Sequence, residues 1–350
     1  MGVYDSLAGL PLEIERYELE PLERALSNDF TRYTTVVHMH GGGEEGVGED
    51  VIYEGLDHVA LLDAGPTLPL AGSYTLESFA RRLDELDLFP VPPVREPSRQ
   101  YRRWAFDSAA LDLALRQAGK SFAVAVGRDP RPLTYVVSTR LGEPSSADPL
   151  RRLLERYPGM RFKLDPTNDW DERLIADLAD AVEVDILDLK GLYRGTPVDV
   201  ETDPELYRQV AETFPGAWIE DPDLTPETEP VLEPHRDRIT WDAPLHSVAD
   251  IEALPFPPRT INIKPSRFGP LEELCAVYDY LERNGIGAYG GGQGELGPGR
   301  GQIQYLASVF HADTPNDTAP GAFNLPEPPD GLPASPIDPP PAAPGFRWNP

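Results

Sequence analysis

RFKLD (161–165), VDILDLK (184–190), AWIEDP (217–222), ITWDAP (239–244) and INIKPS (261–266) are five short apolar runs, and each ends in a carboxylate or a lysine. Amphipathic segments lie between them: DERLIADLADA (171–181) follows the first and DPELYRQVAETF (203–214) the second. Upstream, LTYVVST (133–139) precedes DPLRRLLERY (148–157). Downstream, PLEELCAVYDYLERNG (270–285) places Leu274, Val277, Tyr278 and Leu281 on one helical face. Strand–helix alternation with short connections argues for a parallel sheet. Six or more such units in about 190 residues suit a closed barrel better than an open sheet.

A parallel barrel carries its site at the C-terminal ends of its strands. Those ends hold Lys163 and Asp165, Asp188 and Lys190, Glu220 and Asp221, Asp242, and Lys264. A single Asp ending a strand is more often a helix N-cap than a ligand, and a single buried lysine is usually salt-bridged. Carboxylates ending three successive strands are harder to dismiss. Without a cation they would repel one another and drive their pKa values up. All-oxygen donors suit Mg²⁺, or Mn²⁺, rather than zinc.

The composition sharpens the lysines. Of 31 basic residues only four are lysine: Lys120, Lys163, Lys190 and Lys264. Arginine cannot act as a base near neutral pH, whereas lysine can. The net charge of −28 argues against nucleic acid as a partner and fits a well-solvated surface or a saline habitat. A single cysteine, Cys275, rules out an intrachain disulfide and suits a reducing cytoplasm. No run of about 18 apolar residues offers a membrane span, and the first residues lack a secretion signal.

Residues 12–64 read as strands, with GGGEEGVGED (41–50) as a flexible turn or loop. A helix starts near Thr75 and runs into FARRLDEL, PVPPVREPSR (90–99) breaks it, and another spans Phe106 to Ala118 with Gly119 as its stop. The expected organisation is an α+β capping domain over 1–105, completed by part of the C-terminal segment, and a barrel over 106–324. A proline-rich tail over 325–350 is expected to be extended or poorly ordered.

The ordered motifs resemble the enolase superfamily, especially its muconate-lactonizing and o-succinylbenzoate-synthase-like members. RFKLD resembles the second barrel strand, ILDLKG the third, WIEDP the fourth, TWDAP the fifth and INIKPSRFG the sixth. The resemblance implies an α/β fold, a modified TIM (β/α)7β-type barrel with an α+β capping domain. It implies Asp188, Glu220 and Asp242 as ligands of Mg²⁺ (or Mn²⁺), and Lys163 and Lys264 as catalytic lysines. GGGEEGVGE looks like the mobile capping loop that closes over substrate, which brings in Glu49. GGGQGELGPGRGQIQYLA (290–307) looks like the seventh-strand segment, with Glu295 in its acidic position. Asp165, Lys190 and Asp221 stand beside these residues as second-layer or substrate-contacting groups.

Two positions depart from the family pattern. Its second strand usually reads Lys-x-Lys; here the run is Arg161-Phe162-Lys163-Leu164-Asp165. Either Arg161 and Lys163 fill the pair, or Asp165 has replaced the base. Its third strand usually has Asn two residues after the metal Asp; here Lys190 stands there. A register with Asp165 as the third-strand ligand leaves too many strand-like segments afterwards.

The implied chemistry is abstraction of the proton next to the carboxylate of a small molecule. Lys163 or Lys264 takes the proton, and the cation stabilises the enediolate. Epimerisation, cycloisomerisation and dehydration need the same parts, so the sequence does not choose among them. A homo-oligomer is compatible with all of this. Two rivals remain open. A catalytically altered metal-binding barrel is motivated by Asp165 and Lys190. A metal-dependent hydrolase would use the strand-terminal pair His38 and His40, but needs further histidines at later strand ends. Otherwise these two line one face of a half-exposed strand, beside the substrate pocket.

Overall fold

The computed structural model describes residues 2–25, 30–196 and 198–348. Strand β1 (Pro11–Ile14) pairs with β5 (Gly72–Thr75). Strands β2 (Arg16–Ala25), β3 (Thr31–Gly41) and β4 (Glu44–Asp50) form a three-stranded antiparallel sheet. The glycine-rich run 41–50 is therefore a tight hairpin and a strand, not a flexible loop. Gly42 and Gly43 turn the chain at φ 59° and 79°. Gly48 lies against the helix Ser98–Gln117, where a Cβ would stand 2.0 Å from the Ala105 carbonyl oxygen. Residues 55–64, expected as strand, are the helix Gly55–Ala64. It buries Asp57, His58 and Leu61 while Leu56 and Val59 stay exposed, so its apolar pattern hides its period.

The barrel follows. Strands β6 (Val137–Thr139), β7 (Arg161–Leu164), β8 (Glu183–Asp188), β9 (Trp218–Glu220) and β10 (Ile239–Thr240) run parallel in chain order. Strands β11 (Thr260–Ile263) and β12 (Gly287–Gly290) form a second parallel pair. The Asn262 N–H donates to the Trp241 carbonyl at 3.0 Å and joins the two groups. An eighth stave only two residues long closes the ring: the Val136 N–H donates to Asn316 O, and the Asp317 N–H to Gly290 O, both at 2.8 Å. This is the expected (β/α)7β-type barrel beside an α+β capping unit. The helix Ser98–Gln117 runs through residues 105 and 106 and packs on the capping sheet. Residues 325–348 lie extended across the barrel, where Phe346 and Trp348 are buried and the Phe346 ring is 4.9 Å from that of Phe122. Among the described residues no helix is long and apolar enough to cross a membrane.

The closing stave depends on one histidine. Asn316 Oδ1 accepts the Gly290 N–H at 2.6 Å and lies 2.7 Å from His311 Nδ1, while Tyr278 Oη is 3.1 Å from His311 Nε2. Burial pushes His311 down to about 4 from its ordinary 6.5. The folded state thus binds fewer protons than the unfolded one between those values. His311 contributes about 3 kcal/mol that is complete above pH 6.5 and is lost as the pH falls towards 4. Denaturant midpoints of the native protein and His311→Gln should converge as the solution is acidified across this window. Parallel curves would contradict the assignment.

Candidate active site

Register, more than motif, aims the side chains. Parallel partners share a face, and β7–β8 pairing aligns Lys163 with Ile186 while β8–β9 pairing aligns Asp188 with Glu220. Ile186 and Tyr289 pack together inside the ring with Val136. Two residues further along β8 the inward position is Asp188. The same alternation aims Glu220, Asp242 and Lys264 into the mouth, because each strand ends at about the same height. Gly291 keeps the seventh stave clear. A Cβ there would lie 2.4 Å from Asn262 Oδ1 and 2.7 Å from Lys264 Cε.

Three of the chain's four lysines converge here. Lys163 Nζ lies 2.5 Å from Glu220 Oε1 and 2.9 Å from Asp188 Oδ2. Lys190 Nζ donates to Asp188 Oδ2 and is 3.8 Å from Asp165 Oδ2. Lys264 Nζ donates to Asp242 Oδ2 at 2.6 Å. Asp242 also meets the Tyr193 hydroxyl at 2.7 Å and Arg267 Nε at 3.1 Å. Tyr289 Oη and Asn262 Nδ2 donate to Glu220 Oε2.

The electrostatics split the carboxylates. Burial pushes Glu220 up to about 8, with Asp188 adding to the rise, and burial with Asp242 lifts Asp221 to about 7. Burial would raise Asp188 too, but Lys163 and Lys190 outweigh it and hold that carboxyl well below its usual range. Burial would lower Lys163, but Asp188, Glu220 and Asp317 outweigh it and keep it an ammonium.

The cluster fits a divalent cation by count and by donor type. By formal charge, the six carboxyls Asp165, Asp188, Glu220, Asp221, Asp242 and Asp317 outnumber the four cations Lys163, Lys190, Lys264 and Arg267 beside them by two, and a divalent cation would hold Glu220 and Asp221 ionised. All donors are oxygens, which suits a hard ion. Carboxylate oxygens of Asp188, Glu220 and Asp221 lie within 4.8 Å of one another. The set expected from sequence has Asp242 in place of Asp221. Both Asp221 oxygens already accept backbone N–H groups, those of Asp242 and Ala243, each at 2.9 Å. Asp242 Oδ1 receives no aligned hydrogen bond; its charged neighbour is Arg267 Nε, at 3.1 Å. Without an aligned donor, that oxygen turns to a cation more easily than the two Asp221 oxygens, which backbone N–H groups hold, whereas by proximity Asp221 is the third member of the cluster.

Other expected residues sit elsewhere. Glu49 does not face the acidic cluster. Its buried carboxylate accepts the N–H groups of Leu296 (2.7 Å), Gly297 (3.0 Å) and Gly299 (2.8 Å), and so docks the capping sheet on the loop after β12. Buried Arg32 grips the same loop through Gln293 O (2.8 Å) and Gly294 O (3.1 Å). Glu295 lies in that loop, paired with Arg300 at 3.1 Å. Glu49→Ala would leave one buried and two part-buried N–H groups without their acceptor and should cost about 2–3 kcal/mol. Denaturant unfolding checks this, and a variant as stable as the native protein would contradict the docking role.

His38 and His40 lie on β3. His38 is 3.0 Å from both Glu20 and Glu45, and His40 is 3.9 Å from Glu18. The remaining histidines bond to Thr35, Arg238, Arg267 O and Asn316, so among the described residues none joins the acidic cluster. The hydrolase reading has no ligands to build on.

Tyr193, Arg267, Tyr289 and Asp317 do not stand out from sequence. Arg267 lies within the INIKPSRFG run, and its spacing from Lys264 is the available signal.

Known proteins provide a frame for this geometry. Models of the family described as Domain of unknown function (DUF8230) match residues 5–125 (N-terminal domain) and 129–325 (C-terminal domain). An o-succinylbenzoate synthase of Geobacillus kaustophilus is 26% identical over 70% of this chain and 70% of its own length. A muconate cycloisomerase from Pseudomonas fluorescens superposes with a TM-score of 0.68 at 17% identity, covering 96% of both chains. A dipeptide epimerase from Methylococcus capsulatus, solved in complex with Mg, gives a TM-score of 0.66 at 22% identity, covering 90% of this chain and 92% of its own. Solved structures described as members of the enolase superfamily share this fold.

Proposed function

This chain belongs to the DUF8230 family and has the enolase-superfamily fold, and from that premise we propose that it removes the proton next to the carboxylate of a small organic acid. The observation that carries the reading is the mouth itself, with buried carboxylates on three successive strands and Lys264 reaching in beside them. Asp188, Glu220 and Asp242 would hold the ion, Mg²⁺ or Mn²⁺. When bound, the cation supplies positive charge where negative charge builds on the substrate's oxygens. Lys264 moves the proton at its Nζ. Arg267 and Tyr193 hold Asp242 from the far side, so the carboxylate stays in place when the amine turns to substrate. Glu49 and Arg32 fix the loop that follows the seventh stave. Epimerisation, cycloisomerisation and dehydration all begin with this step, and nucleic acid remains an unsuitable partner at a net charge of −28.

An analogue that mimics the deprotonated substrate tests the reading. With Mg²⁺ present, oxalate or a hydroxamate should bind about a hundredfold tighter than the parent acid, because such sites favour the transition state. Equal affinities by titration calorimetry would count against proton abstraction.

A further inference from the structure

Two lysines stand on the β7–β8 side of the mouth, and they differ in reach. The Lys163 side chain is 1% exposed, with Nζ 2.5 Å from Glu220, 2.9 Å from Asp188 and 3.7 Å from Asp317. Two carboxylates thus lie within hydrogen-bond distance of this ammonium, and Asp317 is a third charge beyond it. Lys190 lies two residues beyond the end of β8, and its side chain is 12% exposed. Its one hydrogen-bond acceptor is Asp188; Asp165 Oδ2, at 3.8 Å, is too far to be a second. Its backbone is the more telling observation. Lys190 (φ 55°) and Asp221 (φ 48°) are the only non-glycine residues at positive φ among those described, and both sit at this mouth. Backbone strain of this kind persists where the surrounding structure needs a side chain in one place.

We propose that Lys190 is the ammonium that receives an anionic oxygen of the substrate, across the mouth from Lys264, and that Lys163 is a buried counter-ion that substrate never touches. The two lysines leave the third and sixth staves, on roughly opposite sides of the ring, so a small acid between them meets both. The inference rests on the proposed function and names its substrate contact. It reverses the sequence-based expectation that Lys163 is one of the two catalytic lysines.

The scarcity of lysine makes the test clean. The native protein with Mg²⁺ is pulsed with acetic anhydride, with and without excess succinate or N-acetylglycine, and each lysine is followed by mass spectrometry. Exposed Lys120 is the internal standard. Lys190 and Lys264 should both be protected by the acid, and Lys163 should stay unlabelled throughout. Protection of Lys264 with Lys190 unaffected overturns the inference and leaves the proposed function standing. So does labelling of Lys163 that the acid suppresses. Protection of neither lysine counts against the proposed function, and the inference falls with it. Calorimetry gives a second readout. Lys190→Met should weaken binding of the same acids about tenfold to a hundredfold, with partial rescue in Lys190→Arg. At saturating Mg²⁺, Lys163→Met should weaken binding less than Lys190→Met does; a larger loss there than at Lys190 would overturn the assignment.

Discussion

Lys264→Met should lower Mg²⁺-dependent exchange of the substrate's α-proton by about a thousandfold while the protein stays folded. The magnitude is that of removing one positioned acid–base group. The fold should survive because Asp242 keeps two other partners, Arg267 at 3.1 Å and the Tyr193 hydroxyl at 2.7 Å. Methionine fills the space beside Gly291 without bringing a charge. Circular dichroism and a denaturant midpoint close to native would separate lost chemistry from lost structure. A variant that still exchanges at the native rate would remove Lys264 from the mechanism.

Asp188→Ala should lose metal binding and also destabilise the chain by about 3–5 kcal/mol, the usual result of removing one partner from a buried ion pair. The reason lies in the two ammonium groups on that one carboxylate. Lys190 donates to Asp188 Oδ2 and Lys163 is ion-paired with the same oxygen at 2.9 Å, and the Asp188 side chain is fully buried. Without it, a cation that cannot reach water is left short of its counter-charge. The second substitution Lys163→Met should restore part of the stability and none of the metal affinity. An Asp188→Ala protein with a native midpoint, or a double variant that regains Mg²⁺, would contradict this pairing of two ammonium groups with one carboxylate.

These effects bear on how much the sequence could convey. The strand ends from Lys163 to Lys264 were legible because each strand is one short apolar run followed at once by its functional residue. Parallel register then carries all of them to one height. Asp317 was not legible, because its stave is two residues long with no apolar run to mark it. The Gly55–Ala64 helix escaped because it buries Asp57 and His58 and exposes Leu56 and Val59, against the usual pattern. The glycines of 41–50 suggest freedom in the sequence, whereas those on β4 serve close approach beneath a long helix. Resemblance places Glu49 near substrate, and only the folded chain shows its carboxylate spent on backbone N–H groups. The division of labour between Lys163 and Lys190 is likewise a matter of depth, which residue order does not encode.

The most direct single measurement is a ¹H NMR time course in D₂O. The native protein is mixed with Mg²⁺ and a pool of α-substituted acids, N-acyl amino acids and dipeptides. The expected result is loss of the α-proton signal from at least one component, abolished by a chelator and restored by added Mg²⁺. Calorimetric binding of Mg²⁺ with every α-proton retained across the pool would contradict proton abstraction and leave a barrel that holds its ion without turning over.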